Sequence, residues 1–550
     1  MNILLTTINS KYIHQNLAIR LLYALNKDFP GLNWREFINK DGVDEIASYC
    51  SNYQLVAFSC YIWNITKILA VATKIKLLNP DCKILLGGPE VSYEWQEIIE
   101  LADIDYIIQG EGEVPFSSFL KSFPYLENVP ALVWKKEGIV IQNSASCIFD
   151  LQHLEDINPY IYDSDEDLKT KICYIETSRG CPHTCEFCLA GLDNKVRYLP
   201  QKNIESNLLY LIENGKTIKF LDRTFNTNPK FAISIFNIIL RNYKPGNIFQ
   251  FEVKADILQN ELIKFIREQV PKGIFRFEIG IQTLNSKSNK DVKRKQNFEN
   301  IRKFVEKISD KVELHLDLIV GLPYDYLADI KYSFEEVFKL FAPELQLGFL
   351  KFLKGTPIRT NYQLHDYKFN HLPPYQIIES KYLSKAAINK ITILEKALEI
   401  YWNKKRTIHT LKYIASNYAI FDFLQGLGKY FETKYGFGKY DLNEIYSGIY
   451  EYSKLNFPEN DILPQLIALD YYQQYKVQPK TQFHQEIDRP LKYKILNDLH
   501  LNHNKFRFLV LSFNFNIKKY LEKNIVELAD YLLIIQYNGV SLPQLIFCNE

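Results

Sequence analysis

Apolar and polar positions divide the chain into four textures. Through residues 1–128, short apolar runs alternate with amphipathic stretches: Ile3–Thr7 then Leu17–Leu25, Leu55–Cys60 then Ile65–Leu78, Lys83–Leu86 then Tyr93–Leu101, and finally Tyr106–Gln109. That rhythm predicts βα units around a parallel sheet. Residues 129–170 interrupt it with runs at Val129–Val133 and Ile139–Gln142 that predict a small hairpin, followed by an acidic stretch with Tyr and Pro that predicts a linker. From 171 to 360 the alternation returns, with candidate strands at Cys173–Thr177, Ile218–Asp222, Phe249–Val253, Phe275–Ile281, Val312–Val320 and Leu345–Phe349. Helical segments lie between them, which is the order of a β/α barrel. From 361 to 550 long amphipathic patterns (Tyr375–Asn403, Thr407–Phe431) give way to strand-like runs at Phe506–Phe513 and Tyr531–Tyr537, a mainly helical C-terminal domain.

At 550 residues the chain is long enough for three cores. Hydrophobic residues at 47% and charged residues at 24% are globular proportions. A formal charge of +2 without a long Lys/Arg run argues against a nucleic-acid partner. The opening Met-Asn-Ile-Leu-Leu is strand-like rather than a secretion signal, and the chain has no apolar stretch long enough to span a membrane. The expected location is the cytoplasm, and nine cysteines with three crowded into eight positions suit metal ligation in a reducing compartment.

Those three lie in Glu176-Thr-Ser-Arg-Gly180-Cys181-Pro-His183-Thr-Cys185-Glu-Phe-Cys188, directly after a candidate strand. Three thiolates spaced CxxxCxxC can each bind one iron of a [4Fe–4S] cubane and leave the fourth iron open, the arrangement of a catalytic rather than a structural metal site. The competing reading is a zinc site completed by His183 or a distant cysteine; structural zinc usually pairs two CxxC-like hooks, and only one hook is present. Cys50, Cys60, Cys82, Cys147, Cys173 and Cys548 are scattered and expected to be small buried hydrophobes.

The loop resembles the signature of the radical S-adenosylmethionine (SAM) superfamily. Phe220-Leu-Asp-Arg-Thr-Phe225, Phe251-Glu-Val-Lys-Ala-Asp256, Phe277-Glu-Ile-Gly-Ile-Gln-Thr283 and Leu316-Asp-Leu-Ile-Val-Gly-Leu-Pro323 resemble its later strand ends in the right order. The resemblance implies a partial (β/α)6 barrel over 171–360 and a cluster held by Cys181, Cys185 and Cys188. It further implies that Lys254, Glu278 and Gln282 hold polar groups of SAM and that Ile319, Gly321 and Leu322 lie near its adenine.

In the N-terminal region three loops follow candidate strands: Ser59–Asn64, Gly87-Gly88-Pro-Glu90 and Gly110-Glu111-Gly112-Glu113. Loops at the carboxyl ends of strands form the ligand crevice of a doubly wound sheet. Upstream of such a barrel they resemble a Rossmann-like cobalamin-binding domain, which implies corrin contacts at Ser59, Gly87, Gly88, Gly110, Glu111 and Gly112. Tyr12 and Leu17 flank His14 where cobalamin domains that supply a histidine ligand carry Asp and Gly, so the implied cobalamin is base-off.

The whole implies an oxygen-sensitive enzyme that cleaves SAM to a 5′-deoxyadenosyl radical and takes hydrogen from a substrate carbon, for C-methylation. An electron donor such as flavodoxin or ferredoxin is the implied partner. A radical rearrangement or ring closure on the same cofactors, or a non-catalytic cobalamin or Fe–S sensor, are the rival readings.

Overall fold

The computed structural model describes residues 1–144, 148–257 and 260–548. Cys147, one of the scattered cysteines, lies outside the described residues. Two compact units emerge, one comprising 1–314, 319–325 and 348–382, the other 315–318, 326–347 and 383–550.

The first unit opens with strands β1 (Ile3–Asn9), β2 (Leu32–Ile38), β3 (Leu55–Ser59), β4 (Lys83–Gly87) and β5 (Tyr106–Ile108), all parallel and ordered β2-β1-β3-β4-β5. β1 and β3 are buried along their whole length, as strands covered on both faces must be. Two apolar layers do the covering. On one face Ile46 and Ala47 of helix Val43–Cys50 pack with Ile68, Ala72 and Ile75 of helix Ile65–Leu78. On the other, Ile19 of helix Leu17–Leu25 packs with Phe116, Phe119 and Leu120 of helix Glu113–Ser122. The strand order reverses between β1 and β3, so the crevice of this sheet opens at their carboxyl ends.

The hairpin read between 129 and 142 is strands β6 (Leu132–Lys136) and β7 (Ile139–Gln142), which extend this sheet antiparallel from β5. The linker after it is pinned by Arg20. That guanidinium, 1% exposed, pairs with Glu36 at 2.7 Å and with Asp163 at 2.6 Å and stacks over Trp34.

The barrel sheet begins with β8 (Ile172–Ile175). A small ladder of β9 (Ser178–Arg179) and β10 (Arg197–Tyr198) closes the cysteine loop. β11 (Thr217–Phe220), β12 (Ile248–Glu252) and β13 (Phe275–Gln282) add in parallel beside β8, and β14 (Glu313–Val320) and β15 (Glu344–Phe349) complete the order β8-β11-β12-β13-β14-β15. Six strands alternating with helices form the open barrel read from the sequence. A cluster of Phe220, Phe225, Phe236, Phe251, Phe275 and Phe277 fills the space between its sheet and helices.

Residues 375–384, read as the start of a long helix, instead contain strand β17 (Ile377–Glu379), paired with β16 (Lys368–Phe369). The Ile377 amide donates to the Leu350 carbonyl at 2.9 Å, and Ser384 caps the helix that starts at Lys385. Long-range pairing here overrides local helical periodicity.

In the second unit, helices between Lys385 and Asp498 pack with strands β18 (Arg507–Phe515), β19 (Leu528–Tyr537) and β20 (Gln544–Cys548). β20 is short and half-buried, and its periodicity is too weak to be read from sequence. Buried Asp470 accepts from the amides of His409 and Thr410, tying two of these helices together.

Candidate active site

The cysteine loop follows β8 because Asp222, buried at the end of β11, holds it there. Its carboxylate accepts from the Thr177 amide at 3.1 Å, the Thr177 hydroxyl at 2.6 Å and the Ser178 hydroxyl at 2.5 Å. Burial raises the Asp222 pKa, and these donors work against the rise. The loop then closes on itself. Gly180 has φ +89, and a Cβ there would overlap the Lys195 carbonyl oxygen, so only glycine fits. The Cys181 amide donates to the Asp193 carbonyl at 2.9 Å.

Cys181 and Cys185 are buried and Cys188 is half-buried. Cys181 Sγ lies 3.6 Å from the Thr224 hydroxyl, and Cys185 Sγ lies 3.9 Å from a guanidinium nitrogen of Arg294. Among the described residues, no three His, Cys, Asp or Glu side chains are gathered as a site for a single metal ion. A donor set of three thiols on one tightly wrapped loop fits a cubane bound through three irons. The His183 Nε2 is buried without a partner.

The residues expected around SAM have varied surroundings. Gln282 sits at the end of β13 with φ +67 and a buried, unpartnered Oε1, which leaves an acceptor for a ligand's donor. Glu278 is bound by Lys219, both oxygens at 2.8 Å. Lys254 is buried and already paired with Asp256 and the Lys295 carbonyl, each at 2.6 Å. Ile319 is half-buried, Leu322 is buried, and the Gly321 carbonyl accepts from the Tyr367 hydroxyl at 2.9 Å. Arg294, which the sequence reading missed, is the cation beside the cysteine loop. It lacks a motif of its own, and its signal is its position twelve residues after β13.

The N-terminal loops meet the barrel directly. Arg179, two residues before Cys181, is 13% exposed and reaches Glu113 at 2.7 Å, Glu176 at 3.1 Å and Glu111 at 3.4 Å. Arg197, on the far side of the cysteine loop, binds Glu111 at 2.5 Å. Burial works to raise the Glu111 pKa, but the Arg197 hydrogen bond and the Phe149 amide hold it below the usual carboxylate range. Glu111, expected beside a corrin, thus has one oxygen taken up by Arg179 and Arg197 and the other by the Phe149 amide. Gly110 and Gly112 flank it; the Gly110 amide donates to Ser92, and Gly112 opens the helix at Glu113.

The second loop is clasped as well. Glu90 accepts from the Tyr375 hydroxyl and lies 3.6 Å from Lys354, while Arg359 binds Glu94 through three hydrogen bonds of 2.6–3.0 Å. Gly88, φ +102, lets this loop approach the first: a Cβ there would stand 2.6 Å from the Cys60 carbonyl, and the Cys60 amide donates to Gly87 at 2.7 Å. The Ser59 carbonyl is held by Thr7 and Asn64. His14 faces the barrel, its Nδ1 2.7 Å from the Tyr174 hydroxyl of β8.

Comparison with known proteins identifies the domains that carry this site. Residues 4–120 match the B12 binding domain, 175–337 the radical SAM superfamily and 363–535 a protein of unknown function, DUF4080. The chain therefore carries a B12-binding domain followed by a radical SAM domain. Its third region is the DUF4080 extension, and the cofactors of the combination are a [4Fe–4S] cluster, SAM and cobalamin. It is 23% identical over 329 residues to the 2-(S-pantetheinyl)-carbapenam-3-carboxylate methyltransferase of Streptantibioticus cattleyicolor, covering 52% of this chain and 45% of that protein. The chain spans less than two thirds of the length of the curated relatives it matches. Its fold is similar to that of TsrM, a radical SAM methyltransferase from Kitasatospora setae with cobalamin and a [4Fe–4S] cluster bound: TM-score 0.55, 13% identity, 68% of this chain and 78% of that one. It is also similar to OxsB, a cobalamin-dependent SAM radical enzyme, with TM-score 0.60, 15% identity, and 96% and 81% covered. Among the described residues no helix is long and apolar enough to cross a membrane.

Proposed function

We propose that this protein is a cobalamin-dependent radical SAM methylase acting on carbon. In this reading residues 1–128 hold cobalamin, 129–170 add β6 and β7 to that sheet and then connect, 171–360 carry the cluster and SAM, and 361–550 form the C-terminal domain. The bound cofactors supply an organic radical for hydrogen abstraction and a methyl group for transfer. The chain's own residues position them. Cys181, Cys185 and Cys188 hold the cluster; Gln282 offers its free acceptor to SAM, with Glu278 held in register by Lys219 and Lys254 by Asp256. Ile319, Gly321 and Leu322 line the adenine side, and Ser59, Gly87, Gly88, Gly110 and Gly112 bring backbone close to the corrin. Glu111 acts as a tether rather than a corrin contact.

The observation that carries the reading is the attachment of Glu111 and Glu113, on one crevice loop, to Arg179 and Arg197, which bracket the cysteine loop. Methyl transfer to a substrate radical requires near-contact positioning, which a loosely tethered domain would not supply. The test uses anaerobically reconstituted protein loaded with hydroxocobalamin, a reductant, and SAM labelled in its methyl group. Label in the corrin fraction together with 5′-deoxyadenosine is the expected result. 5′-Deoxyadenosine without labelled corrin would favour a rearrangement, and neither product would favour a sensor.

A further inference from the structure

Directly after β13 the chain reads Lys287-Ser-Asn-Lys290-Asp-Val-Lys293-Arg294-Lys295, five cations in nine residues of a protein whose net charge is only +2. Lys287, Lys290, Lys293 and Lys295 are exposed. Arg294 alone turns inward, with its guanidinium 3.9 Å from Cys185 Sγ. The segment is joined to the cysteine loop by two further bonds: the Glu186 amide donates to the Val292 carbonyl at 3.1 Å, and Lys293 pairs with Glu186 at 2.9 Å. The segment's one carboxylate, Asp291, faces His365 at 3.3 Å.

We propose that this basic face, centred on Lys290, Lys293 and Lys295, is where an acidic one-electron carrier protein docks to reduce the cluster. The inference rests on the cluster assignment above. A solvated Lys-rich turn would carry the same composition, but it would not need to contact a ligand cysteine. Here one residue links the exposed cations to Cys185, so a carrier seated on them stands next to the thiolates without entering the barrel. Clustered charge raises the encounter rate with an oppositely charged partner. In the step itself one electron leaves the carrier, whose hydroquinone becomes a semiquinone, and the cluster goes from the 2+ to the 1+ state; no bond at the protein surface forms or breaks.

The experiment uses the full-length reconstituted protein and stopped-flow bleaching of the cluster, checked by electron paramagnetic resonance. Lys290→Glu with Lys295→Glu should slow reduction by an acidic flavodoxin hydroquinone about tenfold or more at low salt. The gap should narrow as ionic strength rises. Reduction by methyl viologen radical, a small cation, should not be slowed in the Glu variant. Lys290→Gln with Lys295→Gln should fall between them. Flavodoxin rates that agree within about twofold across proteins with intact clusters would overturn the surface alone, as would a slowing shared by methyl viologen. Failure of the wild type to assemble any cluster would overturn the cluster assignment and this inference together. Nucleic-acid binding that the Glu variants abolish while flavodoxin rates stay unchanged would reassign the face and overturn the proposal.

Discussion

Arg179 shows how much one side chain couples in this protein. It neutralises Glu113, 7% exposed, and Glu176, whose pKa burial raises and Arg179 pulls back. Arg179→Met would leave buried Glu113 and half-buried Glu176 without their cation, a defect worth about 3–5 kcal/mol. The expected outcome is a lower calorimetric midpoint, partly regained in the double variant with Glu113→Gln. Glu111 supplies a pH test. Its carboxyl lies below the ordinary value in the folded chain, so the stability it contributes is present above the unfolded pKa and is lost as pH falls through the folded one. Wild type should therefore lose midpoint on acidification below about pH 4.5, near the unfolded pKa, and Glu111→Gln should lose less over the same range.

At the scale of elements, the cysteine loop depends on one backbone position. Gly180→Ala places a Cβ on the Lys195 carbonyl in a left-handed conformation that L side chains rarely adopt, about 1–3 kcal/mol of strain before the overlap is counted. The loop should open rather than absorb both. Iron analysis after anaerobic reconstitution should give about four irons per chain for wild type and a small fraction of that for the variant. A full complement in the variant would show that the loop's wrapping is incidental to ligation. β8 before this loop and β11 beyond it were legible because βαβ alternation is a local pattern; β17 was not, because its partners are Phe369 and Leu350 rather than its sequence neighbours.

At the scale of the whole molecule, the two cofactor regions of the first unit are also joined by side chains outside the motifs read from the sequence. His14 is one of them: its ring faces Tyr174 of the barrel, and burial lowers its pKa. A histidine held there is a contact between the two regions, and in the proposed reading the cobalamin takes no lower ligand from it. His14→Ala should then leave the cob(II)alamin spectrum of the loaded protein unchanged. Disappearance of a nitrogen hyperfine pattern that the wild type shows would make His14 the lower ligand after all. The clasp of Arg359 on Glu94 makes a related demand. Because Arg359 and Glu94 are in direct contact, Arg359→Gln and Glu94→Gln should fall short of additivity in a double-mutant cycle on the calorimetric midpoint.

By itself the sequence determined what is local. The alternation of apolar runs specified parallel sheets, CxxxCxxC placed three thiols on one loop, and the order of strand-end motifs specified the barrel, because periodicity, spacing and turn chemistry act over a few residues. Tertiary structure decided which charged residues bind each other. Glu111 and Lys254 are polar residues at strand ends, as cofactor contacts are, yet arginines 68 and 86 residues away hold the first, and Asp256 and a carbonyl 41 residues on hold the second. Arg294 and the lysines around it carried no motif at all. Their meaning came from the fold, which brought residue 294 beside residue 185, because a buried charge is defined by the partner that desolvation forces it to find.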